Sequence, residues 1–304
     1  MPTDRVPHDP VPHDPVPTEP GAGAEYVQHH VDRGTDRLGV QLYPEPDGDA
    51  PAPAVVLWPA MGVPARYYRP FAGQLRARGL SVAVADLRGT GSSTPRPGRA
   101  SRYGYAELAA DVGAVLDDLE SRLDGRPVVL LGHSLGGQAC LLHLATGGHP
   151  SVSGLALVAV GLPYWRLYRW SRRPVLPYSQ AIAGVAALMG YWPGWTFGGR
   201  QARGVIRDWA HTARTGSFPG LAGADAEAAV RRVTTPVLAV SVEADQYTPS
   251  STVDHLAAKL AAAPVEREHY TAATAGAPLG HFGWVRAGGP LADRIAAFAR
   301  RPGG

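Results

Sequence analysis

The stretch "LLGHSLGGQ", residues 130–138, sets a serine between glycines, with Gly132, Ser134 and Gly136 spelling G-x-S-x-G. The run before it, "RPVVLLG", is short and apolar and predicts a buried strand; "QACLLHLAT" after it predicts a helix. That context gives the pattern chemical meaning. A residue on so sharp a strand-to-helix corner takes strained dihedrals, and small neighbours let the corner close. Its hydroxyl then projects clear of the sheet. The following N–H groups open a helix, where negative charge is favoured. The competing reading is a glycine-rich junction with an incidental serine. Beyond that, a serine hydroxyl is a weak nucleophile near neutral pH: it needs a base, and the base needs an orienting acid.

In this strand–serine–helix arrangement the chain order is serine, acid, histidine. "PVLAVSVEADQYTP" supplies an apolar strand followed by Glu243 and Asp245. Asp245 lies further past the strand end, beside a turn-forming "QYTP", and is the expected orienting acid. Glu243 is the competitor, read as a strand-tip residue bonded to a neighbouring loop. The base comes from 11 histidines. His8, His13, His29 and His30 precede the alternating core. His133 sits beside the serine and should point away from it. His143, His149, His255 and His269 fall on or beside helices and strands. His281, in "PLGHFGWVR", follows the last strand, where a loop can carry an imidazole over the carboxyl ends of the strands. An oxyanion hole is also required. One donor is expected from the backbone N–H of Leu135 and the second from Met61, between the small residues Ala60 and Gly62 in "WPAMGVPARYY".

Positioning these groups needs a scaffold, and the pattern predicts one. "EYVQHHV" and "RLGVQLYPE" predict a hairpin; "APAVVLWP", "LSVAVADLRG", "VSGLALVAV" and "VEREHY" predict further strands. Helices are predicted over "YYRPFAGQLRARG", "YAELAADVGAVLDDLESRL", "STVDHLAAKLAAA" and around "LADRIAAFARR". Buried strands alternating with helices argue for a mainly parallel sheet covered on both faces. The alternation breaks between about Leu162 and Arg232, a segment rich in Trp, Tyr, Arg and Gly, which predicts a mostly helical insertion over one edge of the sheet. Its Trp165, Trp192, Trp195 and Trp209 are candidate walls of a substrate pocket, since aromatics bury large apolar area. The alternative is that they pack only the insertion's own core.

Composition bounds the rest. Over 304 residues, 45% apolar and 18% charged content is that of a globular chain with an ample core. A net charge of +3 permits an anionic partner without demanding one. The basic run "WRLYRWSRR" is read as part of the insertion, and no nucleic-acid partner is expected. A single cysteine, Cys140, excludes an internal disulfide, and "MPTDRVPHDP" has no apolar signal region, so a cytoplasmic location is expected. No run reaches the roughly 20 apolar residues that span a bilayer, so no stable membrane insertion is expected. The repeats "VPHDP", "VPHDP" and "VPTEP" read as an extended, disordered tail. His8 and His13 beside Asp9 and Asp14 are read there as solvated. With no H-E-x-x-H pattern and no CxxC pair, no metal or other cofactor is expected.

Together, "GHSLGG", "VEADQYTP", "GHFGW" and "ADLRGTGSS" resemble the α/β-hydrolase superfamily. The last is similar to its D-x-R-G-x-G-x-S turn, here Asp86, Arg88, Gly89, Gly91 and Ser93, which is mainly architectural. "PAMGVPARYYRPFA", "GHFGWVR" and "RDWA" resemble a bacterial group of predicted hydrolases near the serine aminopeptidase and lysophospholipase-like branches. The resemblance runs from about Glu25 to the end. It implies an α/β-hydrolase fold with a mostly parallel central sheet, helices on both faces and an inserted, mainly helical lid. The expected organisation is a tail over 1–24, a core from 25–161 and 233–304, and a lid over 162–232. It also implies a triad of Ser134, Asp245 and His281. Where many members carry His-Gly before the oxyanion residue, this chain has Pro59-Ala60, which bears on the shape of that loop. The leading expectation is a serine hydrolase that cleaves an ester, thioester or small amide of a small-molecule acyl substrate through an acyl-enzyme on Ser134. The alternatives are an acyltransferase using the same triad and a non-catalytic binding protein on this fold.

Overall fold

Apolar, β-branched runs make the central strands, which bury both of their faces, while the first and last strands of the sheet are polar and largely exposed or half-buried. The computed structural model describes residues 26–46, 52–169, 174–221 and 223–301. The tail expected over 1–24, with its two histidines, and residues 170–173 of the basic run lie outside them. The hairpin is β1 (Val27–Arg33) and β2 (Asp36–Leu42), paired antiparallel. Then come β3 (Ala54–Trp58), β4 (Ser81–Ala85), β5 (Val128–His133) and β6 (Val152–Val158). A two-residue pair, β7 (Tyr191–Trp192) and β8 (Gln201–Ala202), precedes β9 (Val237–Val242) and β10 (Val265–Tyr270). The main sheet has eight strands in the order β1-β2-β4-β3-β5-β6-β9-β10, parallel from β4 onward.

Side-chain alternation splits the core into two layers. In β3, Ala54, Val56 and Trp58 enter one layer, and Val55 and Leu57 the other. The first layer is covered by α2 (Tyr105–Leu123) and α3 (Leu135–Ala145), the second by α1 (Arg69–Arg76) and α10 (Gly289–Ala299). Each fully buried Val, Leu or Phe contributes about 1.5–3 kcal/mol.

Between β6 and β9 the chain makes its long excursion. It contains α4 (Val175–Met189), the β7–β8 pair, α5 (Arg203–Thr215) and α6 (Ala226–Val230). The excursion does not sit over a sheet edge as its composition predicts. It shares a cavity with the residue that follows β5, so it covers the carboxyl ends of the central strands. After β9 come α7 (Ser250–Ala257) and, past β10, two single turns, α8 (Ala272–Ala275) and α9 (Gly280–Gly283). The predicted 13-residue helix at Ser251–Ala263 is therefore shorter, because Lys259–Ala263 turns toward β10 instead.

Candidate active site

Ser134 stands at the corner between β5 and α3 with φ 52° and ψ −120°. A non-glycine residue at positive φ is strained, and packing must hold it there. The flanking glycines show how. A methyl group on Gly136 would lie 2.5 Å from the Pro59 carbonyl oxygen, and one on Gly132 would lie 2.5 Å from Gly137 N. Only glycine lets the corner close against β3 and its own helix. Ser134 O then accepts from Gly137 and Gln138 N–H at 3.1 and 3.2 Å. Leu135, as the first residue of α3, has no intrahelical acceptor for its N–H.

The expected acid, Asp245, and the expected base, His281, meet. His281 Nδ1 lies 2.8 Å from Asp245 Oδ2. Nδ1 thus donates to the carboxylate, which leaves Nε2 as the basic nitrogen of the neutral ring. His281, the candidate base, sits not on an open loop but in the single turn α9. Asp245 Oδ1 accepts from the N–H groups of Tyr247 and Thr248 at 2.9 and 2.8 Å, and the Thr248 hydroxyl donates to Oδ2. Burial alone pushes the Asp245 carboxyl up. The His281 charge and the bonds from His281 and Thr248 outweigh it and hold the group below its usual value. Glu243 is engaged elsewhere: its carboxylate accepts from Ala272 N–H at 2.6 Å, and its carbonyl accepts from Gly280 N–H at 3.0 Å. It braces the base-bearing turn through its backbone.

Ser134 and His281 line the same cavity, yet no hydrogen bond joins them among the described residues. Such contacts are commonly loose before substrate arrives. His133 does point away from the cavity. Its Nδ1 lies 2.7 Å from Tyr68 Oη, and Tyr68 Oη accepts from Ala60 N–H at 2.9 Å. This chain ties the loop after β3 to the serine corner. Burial, then the nearby His281, pushes His133 well down, so this second imidazole, 4.6 Å from His281 between ring centres, stays neutral. The Asp86 turn braces the same loop from its far end: Asp86 Oδ1 accepts from Ala65 N–H at 2.6 Å and Oδ2 from Ser92 N–H at 2.8 Å. Arg88 pairs with Asp111 and Asp36 beneath it.

The cavity holds about 570 Å³. Ala60, Met61, Ser134, Leu135 and His281 form its floor, and Tyr168, Val175, Tyr178, Phe197 and Trp209 form its roof. No Asp, Glu, Lys or Arg is among the described residues that line it. Of the four tryptophans expected in its wall, Trp209 lines it and the other three do not. Trp192 is buried within the excursion and donates Nε1–H to Phe197 O at 2.8 Å. Trp195 packs edge-on against Trp192 and is 66% exposed, while Trp165 carries the Arg166 guanidinium over its ring. Sequence reasoning missed Phe197, Val175 and Tyr178 as lining residues, since nothing in their spacing distinguishes a roof from a helix surface.

Residues 49–274 match the family model described as serine aminopeptidase, S33. Among solved structures, a soluble variant of monoglyceride lipase from Saccharomyces cerevisiae, in complex with a substrate analogue, is 15% identical with a TM-score of 0.66; the match covers 94% of this chain and 98% of that one. A malate-bound thermophilic esterase from Thermogutta terrifontis is 16% identical, with a TM-score of 0.61 and coverage of 91% and 98%. A hydrolase from Pseudomonas aeruginosa PA01 is 21% identical, with a TM-score of 0.57 and coverage of 90% and 98%. At these identities the likeness to the solved structures is one of fold.

Proposed function

The chain belongs to the serine aminopeptidase, S33, family of α/β-hydrolases, and from there we propose that it hydrolyses carboxylic esters of uncharged acyl groups through an acyl-enzyme on Ser134. The observation that carries this reading is the bonded Asp245–His281 pair opening on the same cavity as a serine held at φ 52°. Ser134 Oγ attacks the ester carbonyl carbon while its proton passes to His281 Nε2. The carbonyl π electrons move to oxygen, where the Met61 and Leu135 N–H groups receive the charge. Collapse breaks the bond to the alkoxide leaving group, which takes the proton from His281. Water repeats the cycle on the acyl-enzyme, releasing the carboxylic acid and restoring Ser134.

An uncharged acyl group suits the cavity because a buried ammonium or carboxylate with no partner costs several kcal/mol (about 2 or more even for small polar groups). Between the cavity-lining Tyr168 and Pro174 the sequence offers three arginines and no acidic residue, so it supplies no partner for an aminoacyl ammonium. The roof of the cavity is read as a lid, because it comes from the excursion while the reacting groups come from the core. The test is direct. Wild-type protein should label with a fluorophosphonate and hydrolyse p-nitrophenyl esters in preference to aminoacyl p-nitroanilides. Ser134→Ala should lose labelling and hydrolysis together while its unfolding transition is unchanged. Substantial hydrolysis by Ser134→Ala would overturn the reading.

A further inference from the structure

The loop that bears Met61 is a tight turn. Val63 N–H donates to Ala60 O at 3.1 Å, and Gly62, third of the four residues, has φ 73°. A turn with positive φ at that position demands glycine. The turn also aims Met61. The peptide between Ala60 and Met61 is planar, so a carbonyl committed to Val63 sends the Met61 N–H the opposite way.

Against this turn lies a second glycine corner, in the excursion. Gly194, Gly198 and Gly199 all have positive φ, between 61° and 88°. The β7–β8 pair closes the loop that contains them. Gln201 Nε2 donates to Gly198 O at 2.7 Å, and Arg200 Nε donates to Pro97 O of the core at 2.5 Å. Phe197 stacks on Trp209, 5.0 Å between ring centres and 27° between planes. So held, the corner meets Gly62 backbone to backbone. A methyl on Gly62 would lie 2.5 Å from Gly198 C and 2.9 Å from Gly199 N. A methyl on Gly198 would lie 2.6 Å from Met61 Sδ, and one on Gly199 would lie 3.3 Å from Gly62 Cα. Met61 is thus held on three sides: by Tyr68 through Ala60, by its own turn, and by the Gly198–Gly199 corner.

We propose that the Gly198–Gly199 corner is the seat that sets the Met61 N–H, which makes this part of the excursion a positioning element for the oxyanion. The inference rests on Met61 and Leu135 being the oxyanion donors. Its consequence is that a substitution at Gly198, which belongs to the excursion and lines the cavity without being a triad residue, acts on turnover rather than on substrate binding. Donors displaced by a fraction of an ångström lose transition-state stabilisation while ground-state binding persists.

The experiment compares Gly198→Ala with Gly276→Ala, using p-nitrophenyl butyrate. Gly276 caps α8 with φ 69°, and a methyl there meets nothing within 4 Å. It carries the same backbone strain without the contact. Gly198→Ala should lower kcat about tenfold or more while KM moves less than about twofold. Its affinity for a trifluoromethyl ketone, which forms the oxyanion, should fall by the same factor. Gly276→Ala should match wild type in all three. Replacing Met61 in the Gly198→Ala background with alanine removes the obstructing thioether, keeps the backbone N–H, and should return kcat toward the Met61→Ala value. Should Gly198→Ala not fold, Gly199→Ala, with its gentler 3.3 Å approach, should show the same split at smaller amplitude. The proposal is overturned if these variants keep wild-type kcat, or if KM rises while kcat and ketone affinity hold. Fluorophosphonate labelling separates the two readings: wild type that does not label at Ser134 sinks the nucleophile, whereas intact labelling with an indifferent Gly198 sinks only the seat.

Discussion

Asp245 and Glu243 stand two positions apart on one connection, and their surroundings give them different work. Asp245 has its oxygens filled by His281, Tyr247 and Thr248. Replacing it with asparagine removes the charge that stabilises the imidazolium and lets an amide N–H face the ring. Asp245→Asn should therefore lower kcat by about 10⁴. Glu243 accepts one N–H, from Ala272, and a glutamine oxygen can still accept it. Glu243→Gln should stay within roughly threefold of wild type, as befits one exposed hydrogen bond. Stopped-assay kinetics on the two purified variants decides this, and the opposite ranking would reassign the acid. Ser134 was legible at this scale because its glycines, its strand and its helix adjoin it along the chain. The partner atom on Asp245 was not, since it depends on where α9 places the ring.

The excursion is an element-scale problem, and its tryptophans divide by what they touch. Trp209 faces the cavity and stacks on Phe197. Trp209→Ala should widen the roof and shift relative preference toward longer or bulkier p-nitrophenyl esters. Trp192 is 3% exposed and outside the cavity. Trp192→Ala should leave chain-length preference alone and cost about 3–5 kcal/mol in urea unfolding, by lost transfer energy and the void left behind. A change in chain-length selectivity from Trp192→Ala would contradict this division. Apolar periodicity marks α4 and α5 as helices, but it cannot say which side of each faces the core and which a cavity. α4 is apolar nearly all round, and in α5 the polar face of Arg203, Arg207, His211 and Arg214 marks the solvent side without saying whether the opposite side meets the core or a cavity.

At the scale of the molecule, acid sensitivity reports how the carboxylates are held. Asp245 has a folded pKa below its ordinary value. Its stabilising contribution is therefore complete above the ordinary carboxylate pKa and disappears as pH falls through the lowered folded value. Asp86 and Asp111 run the other way. Burial raises both, against the bonds from Ser92 and Arg88, so their contribution is present below the ordinary value and is lost as pH rises through the folded one. Wild-type stability across the acid range is thus a composite. Urea titrations of wild type and Asp245→Asn at a series of pH values isolate one part: the difference between them should shrink as pH falls below about 4. A difference independent of pH would mean that the Asp245–His281 pair is not what holds that carboxyl down.

Local order along the chain determined most of the scaffold. Runs of β-branched residues marked the strands, G-x-S-x-G with both flanks marked the corner, and the order serine, acid, histidine chose Asp245 and His281 from many carboxylates and 11 histidines. The strand and corner signals survive in one dimension because they rest on hydrogen bonding and steric demands between near neighbours, whereas the order serine, acid, histidine comes from the fold that the corner implies. What only the tertiary structure decided is everything that needs two distant segments in one place. Gly62 and Gly198–Gly199 read separately as two ordinary turns; folding puts them backbone to backbone beside Met61. Trp209 and Trp192 are alike in sequence, and the crossing of α5 with the β7–β8 loop sends one into the cavity and the other into packing. Close approach is a property of three-dimensional packing density, and no spacing along a chain encodes it.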